Sequence, residues 1–250
     1  MDEQASRVLP LLSALYGGVL VILSPATPPA TSRLLEDAGA HVVVNDPGLM
    51  GSSNFLGRKR RLAVMLSLET APEATHAHLC DFDRVLHWAQ FHPEELRAVL
   101  PFLCAYDFTV LGRTARAIAS HPRVQRDTEA IINHVFGLTS GRAWDVTAAS
   151  RGISRRASRV IAECADDTIG NDCSWPLCIM RHAKLSLAYR ETNGLEFETL
   201  DRYEGIAGAA GGRVAWLERL DTDPKQWAMR LELARIEIES IAAFSAVTPR

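Results

Sequence analysis

Four adjacent cations, Arg58-Lys59-Arg60-Arg61, follow Gly57 and precede the apolar run Leu62–Leu66. Grouped cations ahead of a strand can neutralise phosphate at a sheet edge, and Asp46 brings a carboxylate to the end of the preceding apolar run, His41–Asn45. An acid followed by cations at one edge points to an anionic ligand there; a solvated loop is the plainer alternative. Arg151, Arg155, Arg156 and Arg159 recur at helical spacing. That stripe can meet a phosphate or the acids Asp166 and Asp167, and a solvated face accounts for it more simply. Asp145, beside Trp144 and ahead of Val146-Thr147-Ala148, has the position of a helix cap. The eight histidines are dispersed. His76 and His78 form a close pair without further ligands nearby in sequence, so no metal site is expected. His134, within Ile131–Phe136, reads as a core or cap histidine.

The elements that position these residues begin with a helix over Ser6–Tyr16, interrupted by Pro10, and a strand over Gly18–Ser24. Thr27 can cap the next helix, Pro28 suits its first position, and Ala30, Leu34, Leu35 and Ala38 form one face. Gly39 can take the left-handed conformation that ends it. His41–Asn45 then reads as a buried strand, with Asp46-Pro47-Gly48 leaving its carboxyl end. Further expectations are a strand at Leu62–Leu66, a helix at Glu69–Leu79, a strand at Arg84–Trp88, a helix at Pro93–Leu103 and a strand at Ala105–Val110. Alternating strands and helices imply an α/β fold with a doubly wound, mostly parallel sheet in the first half. No GxGxxG follows the first strand, so no dinucleotide-binding turn is expected.

From Asp127 to about Ala188 the chain reads mainly as helices. The division is a parallel α/β domain over 1–125 and a helical segment over 126–250 that packs on it. Gly205–Gly212 reads as a flexible crossing or tight turn. A last helix over Pro224–Phe244 carries Trp227, Leu231, Ala234, Ile238 and Ile241 on one face, with Arg230, Glu232, Arg235, Glu237 and Glu239 mainly on others. Its apolar stripe should be buried in the core or in a subunit contact.

Composition narrows the class. The 250 residues are 47% hydrophobic and 23% charged, as in a soluble globular protein. A net charge of −3 gives no general attraction to nucleic acid or membrane. The longest apolar run falls far short of the roughly 20 residues of a membrane span. Met1-Asp2-Glu3 is acidic, unlike a signal peptide, and five cysteines without CxxC spacing read as reduced thiols. A cytoplasmic location is expected.

The stretch Ala26–Leu66 resembles the opening of the family III CoA-transferases, the group of formyl-CoA transferase, the carnitine CoA-transferases and α-methylacyl-CoA racemase. That family has an Ala-Gly-Pro loop, a helix ending Leu-Gly-Ala, a strand ending in an acid near a proline, and a basic motif ending Lys-Arg. Here Thr27-Pro28-Pro29, Asp37-Ala38-Gly39-Ala40, Val42–Asp46 and Lys59-Arg60 take those places. Leu111-Gly112-Arg113-Thr114 is close to the family's Gly-Arg-Thr-Gly-Pro. Glu129–Leu138 resembles its next segment, with Asn133 at a frequent Gln and Gly137-Leu138 at the end. Asp145-Val146-Thr147-Ala148-Ala149 matches the motif of the catalytic aspartate, followed at about the right interval by Asp167–Asp172 and a closing segment, Cys173–Leu187.

The resemblance implies a Rossmann-like first domain, a homodimer, and coenzyme A as substrate with no metal or redox cofactor. Asp145 would attack an acyl-CoA carbonyl and give a mixed anhydride. CoA thiolate would convert this to an enzyme–CoA thioester, and a small carboxylic acid would complete the exchange. A water-poor pocket with N–H groups aimed at the oxyanion makes such an attack feasible. Arg58, Lys59, Arg60, Asn133 and Gly137 would hold CoA. Thr128 lies near the position of the racemase branch's histidine, which argues against racemisation. The departures are also clear. Family members are near 400 residues and carry a small second domain, which this chain is too short to hold. Pro25-Ala26 and Trp88-Ala89 replace residues that contact CoA. A silent binding or scaffold relative, or an isomerase or lyase on a thioester or other carboxylate, are the competing expectations.

Overall fold

The structure is a computed structural model that describes residues 2–44, 55–164, 166–182, 184–202, 204–209 and 211–245. The chain runs α1 (Asp2–Leu15), β1 (Leu20–Leu23), α2 (Pro29–Asp37), β2 (His41–Val44), α3 (Leu56–Thr70), β3 (His76–Cys80), α4 (Phe82–Phe91), α5 (Pro93–Ala105) and β4 (Phe108–Arg113). It continues with α6 (Ala115–Ser120), α7 (Arg123–Ser140), β5 (Ser150–Ser154), α8 (Arg155–Glu163), α9 (Asn171–Met180) and β6 (Leu187–Thr192). Four helices close it: α10 (Thr199–Arg202), α11 (Glu204–Ala209), α12 (Arg213–Thr222) and α13 (Pro224–Ser245).

This is an α/β fold, as the alternation of elements implies. β1 and β2 form a parallel pair, Leu20 opposite His41. The other sheet has the order β3-β5-β4-β6, with β4 parallel to β6 and β5 antiparallel to both its neighbours. The second half is therefore not purely helical: it supplies β5 and β6 to a sheet begun in the first half, and a division at residue 125 cuts through that sheet. β4 has core on both faces, with Phe108 and Val110 in one apolar cluster and Leu111 in another. Trp175, Phe136 and Ile153 join the first cluster, under α7, α8, α9 and α13; Trp88, Leu9, Leu35 and Leu96 join the second, under α1, α2, α4 and α5. Burial of such side chains contributes about 1.5–3 kcal/mol each.

Several elements correspond to the sequence signals. α1, β1, α2, β2, α5 and β4 lie within a few residues of the expected spans. Gly39 closes α2 at φ 90°. The cap of α2 is Pro28 rather than Thr27, and no side chain completes it. Asp46-Pro47-Gly48 lies outside the described residues. The expected crossing at 205–212 holds a short helix, α11, with a turn at Gly211 and Gly212, where φ is 93° and 98°.

Four assignments change. Leu62–Leu66 is helical, inside α3, because Arg60, Val64 and Leu68 recur every four residues on its buried face. Arg84–Trp88 belongs to α4, and of the expected helix over Glu69–Leu79 only Glu69 and Thr70 are helical, at the end of α3, before a loop and β3. Arg151 leaves the expected helical stripe, lying in β5 with its guanidinium donating to the carbonyls of Val146, Ser150 and Asp172. Among the described residues, no helix is long and apolar enough to cross a membrane.

Loop 193–198 is locked to α4 and α5 through close contact. Gly194 N–H donates to Glu95 Oε2 at 2.7 Å, and the Trp88 indole donates to the same oxygen at 3.1 Å. A Cβ on Gly194 would stand 1.8 Å from Trp88 Cδ1. Gly194→Ala is thus expected to lower stability by about 1–3 kcal/mol through overpacking. A thermal melt monitored by tryptophan fluorescence reads this directly, and an unchanged midpoint would disprove the contact.

Candidate functional site

A polar cavity of about 210 Å³ lies where α3, α4, α7, α9 and α13 converge. Arg60 enters from α3. Its Nη1 donates to Asp172 at 2.9 Å and to Asn171 at 3.2 Å, and its Nη2 donates to both oxygens of Asp81 at 3.0 and 3.2 Å. Asp81 sits between the end of β3 and α4. Arg84, one turn into α4, donates to the Ala148 carbonyl and, at 3.3 Å, to Glu198 Oε1. Glu198 Oε2 is buried and has no hydrogen-bond partner. Ala149, on the cavity wall, takes a left-handed backbone, φ 52°, alone among the described non-glycine residues. A strained residue of this kind persists where its surroundings over-determine it, often at binding sites.

Helices α7 and α13 complete the wall. Gln125, Thr128, Glu129 and Ile132 recur on one face of α7, and Arg230, Leu233 and Glu237 on one face of α13. Gln125 Nε2 donates to Glu129 Oε1 at 2.8 Å, and Arg230 Nη2 donates to Gln125 Oε1 at 3.0 Å. Glu237 is 4% exposed, and the Cys173 thiol donates to its Oε2 at 3.6 Å. Burial, with Asp172 and Glu129 nearby, pushes its carboxyl well above the usual range. Asp81 moves the opposite way: burial works against its charge, but Arg60 and Arg84 outweigh it and hold its pKa down. Asp83 is raised by burial, then by Glu198 and Asp81.

The residues implied by the resemblance separate into two places. Arg60 is in the cavity. Arg58 is exposed and Lys59 half-buried, and neither lines it; the basic run winds around a helix and cannot face one ligand as a block. Asp145, Asn133 and Gly137 gather at the C-terminal end of α7. Gly137 accepts the capping N–H of Gly141 at 2.9 Å. Asn133 donates to Asp145 Oδ1 and accepts from Val146 N–H, each at 2.9 Å.

Asp145 is not a helix cap, since residues 146–149 are not helical. Its Oδ2 accepts from Arg113 N and Nε, both at 2.8 Å; its Oδ1 accepts from Arg113 Nη2 at 2.8 Å, Asn133 at 2.9 Å and Thr147 Oγ1 at 3.1 Å. Burial opposes its charge, yet Arg113 holds it well below the usual carboxylate range. Such a carboxylate is a weak nucleophile, because its lone pairs are already engaged. It sits behind the cavity rather than in it: Arg113 also pairs Glu129 at 2.6 Å, and Thr147 lines the wall.

His76 and His78, two residues apart on β3, meet different partners. His76 contacts Thr75 Oγ1 and the Tyr106 carbonyl. His78 Nδ1 lies 2.6 Å from Tyr16 Oη and its Nε2 2.9 Å from Ser150 Oγ. Ser150-His78-Tyr16 has the connectivity of a nucleophile, base and orienter, but Ser150 is fully buried and desolvation pushes His78 down to about 4. It is an internal strut.

The acids of the cavity were missed in sequence because they come from five separate elements. One signal was present: the polar stripe Gln125, Thr128, Glu129 at helical spacing, on the face of α7 that also holds buried Ile132. Glu237, expected mainly on an outward face, is buried, while Leu231 of the expected core stripe is 50% exposed. Comparison of the chain with protein-family models, curated proteins and solved structures finds no match.

Proposed function

We propose that the protein binds a monosaccharide-sized, hydroxyl-rich ligand in the cavity under α13 and performs acid–base chemistry on it, with Glu237 as the proton carrier. The observation that carries this is a pair of carboxyls, Glu237 and Asp81, driven in opposite directions on the wall of one polar cavity. Carboxyls whose environments push their pKa values apart divide into acid and base roles. The volume, about 210 Å³, has room for roughly seven waters in the liquid, the scale of one pyranose ring. The wall supplies many donors and acceptors and little apolar surface. That suits hydroxyls, each of which both donates and accepts. Glu198 Oε2, lacking a donor, awaits one from such a group.

Acyl transfer from coenzyme A through Asp145 is a second reading. It has one feature in its favour, the apolar flank made by Trp144 stacked on Tyr189 at 5.2 Å. The five hydrogen bonds on Asp145 count against it. Calorimetric titration with glucose, ribose, their phosphates and acetyl-CoA separates the two. Saturable binding of a sugar derivative, lost in a variant that blocks the cavity such as Thr128→Trp, is the expected result. Binding of acetyl-CoA alone, with hydroxylamine-sensitive labelling of Asp145, would reverse the order of the readings.

A further inference from the structure

We propose that the cavity's hydroxylated ligand carries an anionic group, a phosphate or a carboxylate, and that Arg230 holds it at the cavity mouth. The inference rests on the reading of the cavity as a sugar site and adds the charge of the substrate. Among the described residues three arginines line the cavity, and they differ in how far their charge is met. Arg60 is locked between Asp81 and Asp172 at 3.0 and 2.9 Å. Arg84 is paired with Glu198 at 3.3 Å and tied to a backbone carbonyl. Both side chains are under a tenth exposed.

Arg230 differs on each count. Its side chain is 30% exposed, so it stands where the cavity opens. Its nearest carboxylate oxygen, Glu129 Oε1, is 3.8 Å away, beyond hydrogen-bond distance. Glu129 is meanwhile neutralised by Arg113 at 2.6 Å. The direct hydrogen bond of Arg230 goes to the neutral amide of Gln125. A guanidinium held by a neutral amide offers the rest of its planar fork, which suits phosphate and carboxylate oxygens. Burial weakens its hold on its proton, and Glu129, shared with Arg113, only partly offsets this, so an incoming anion would complete the pairing of its charge. Glu237, two turns along the same helix on the same wall, has its carboxyl raised by burial, which weakens its repulsion of an anion. The ligand would thus lie with hydroxyls toward Glu237 and Glu198 and its anionic end toward Arg230.

The test is calorimetry on the whole chain with four probes: glucose, glucose 6-phosphate, glucuronate and inorganic phosphate, at low and high salt. A phosphorylated or carboxylated sugar should bind at least about tenfold tighter than glucose, with the gain shrinking in salt. The 6-phosphate and the glucuronate arms tell phosphate from carboxylate. Arg230→Gln should remove most of the preference for the anionic sugars over glucose, and Arg230→Lys should keep part of it; thermal melts confirm that both variants are folded. Glucose binding without any preference for the anionic sugars overturns this inference and leaves the sugar-site reading standing. An anionic preference that survives in Arg230→Gln also overturns it. Failure of every sugar to bind, with or without phosphate binding, overturns the sugar site and this inference together.

Discussion

Arg113→Met should be among the most damaging single substitutions in this protein. Arg113 is 3% exposed and serves two buried carboxylates, Asp145 through both side-chain edges and Glu129 at 2.6 Å. Methionine fills much of the volume but leaves Asp145 without its cation and Glu129 with only Arg230, 3.8 Å away. Breaking one buried pair by deleting a partner costs about 3–5 kcal/mol, and here two depend on the same group. Urea denaturation should show that loss at neutral pH, with a lower unfolding midpoint. The pH dependence has a definite sign. In the native protein Asp145 is held below its ordinary pKa, so its stabilisation is present above the unfolded value and is lost as pH falls through the folded one. Without Arg113 that contribution disappears, so the gap between variant and parent should narrow in acid. Adding Asp145→Asn to Arg113→Met should recover part of the loss, since an amide needs no counter-charge. A loss below about 1 kcal/mol, typical of an exposed pair, would show that the network is not the tie it looks like.

The second large effect is on chemistry. Glu237→Gln should cut turnover of any sugar derivative that binds by about 10²–10⁴-fold, the usual contribution of a positioned acid or base. It should leave affinity nearly unchanged, because glutamine matches the neutral carboxyl in shape and still donates. Stability should move in the other direction. A carboxyl raised on folding keeps its proton in the native state while the unfolded chain releases it, so the native state loses stability as pH rises from the ordinary carboxylate value through the folded pKa. Glutamine has no such dependence. The variant should match its parent in mild acid and equal or exceed it at neutral pH, as read by paired urea titrations. A variant that loses stability equally at both pH values would mean that Glu237 is ionised in the fold, and its assignment as proton carrier would fall.

The parts of this fold that sequence makes plain are those where local pattern and tertiary environment agree. Pro28 and Gly39 bracket α2, Pro93 opens α5, and the long periodic segment at 224–245 is α13. Leu62–Leu66 went the other way because five apolar residues in a row fit a strand or a buried helix equally well. β5 was hidden because Ser-Arg-Gly-Ile-Ser has no strand composition; all five residues are buried, and Arg151 is tolerated there only through three carbonyl acceptors. Of the candidate site, Arg60 stood in a visible basic run and Asp145 in a stretch resembling a catalytic motif, and each lies in or directly behind the cavity. Which of the two faces the ligand was not visible, since that depends on Arg113, Asp172 and Glu237, brought together from distant parts of the chain. Buried acids on α7 and α13 have the same spacing as solvated ones, and sequence does not tell them apart.

The place of β5 between β3 and β4 bears on how the chain matures. Residues 76–80 and 108–111 have no sheet partner in each other; both bond to residues 150–154. While the protein is being made, two strands therefore emerge from the ribosome with open edges and wait for some forty further residues before the strand that joins them appears. Loop closure over such spans is slow relative to helix formation. During that interval the facing edges of β3 and β4 are templates for pairing with other nascent chains. A cell making this protein quickly would be expected to shield that intermediate, and growth temperature or chaperone supply should govern its yield more than the stability of the finished fold.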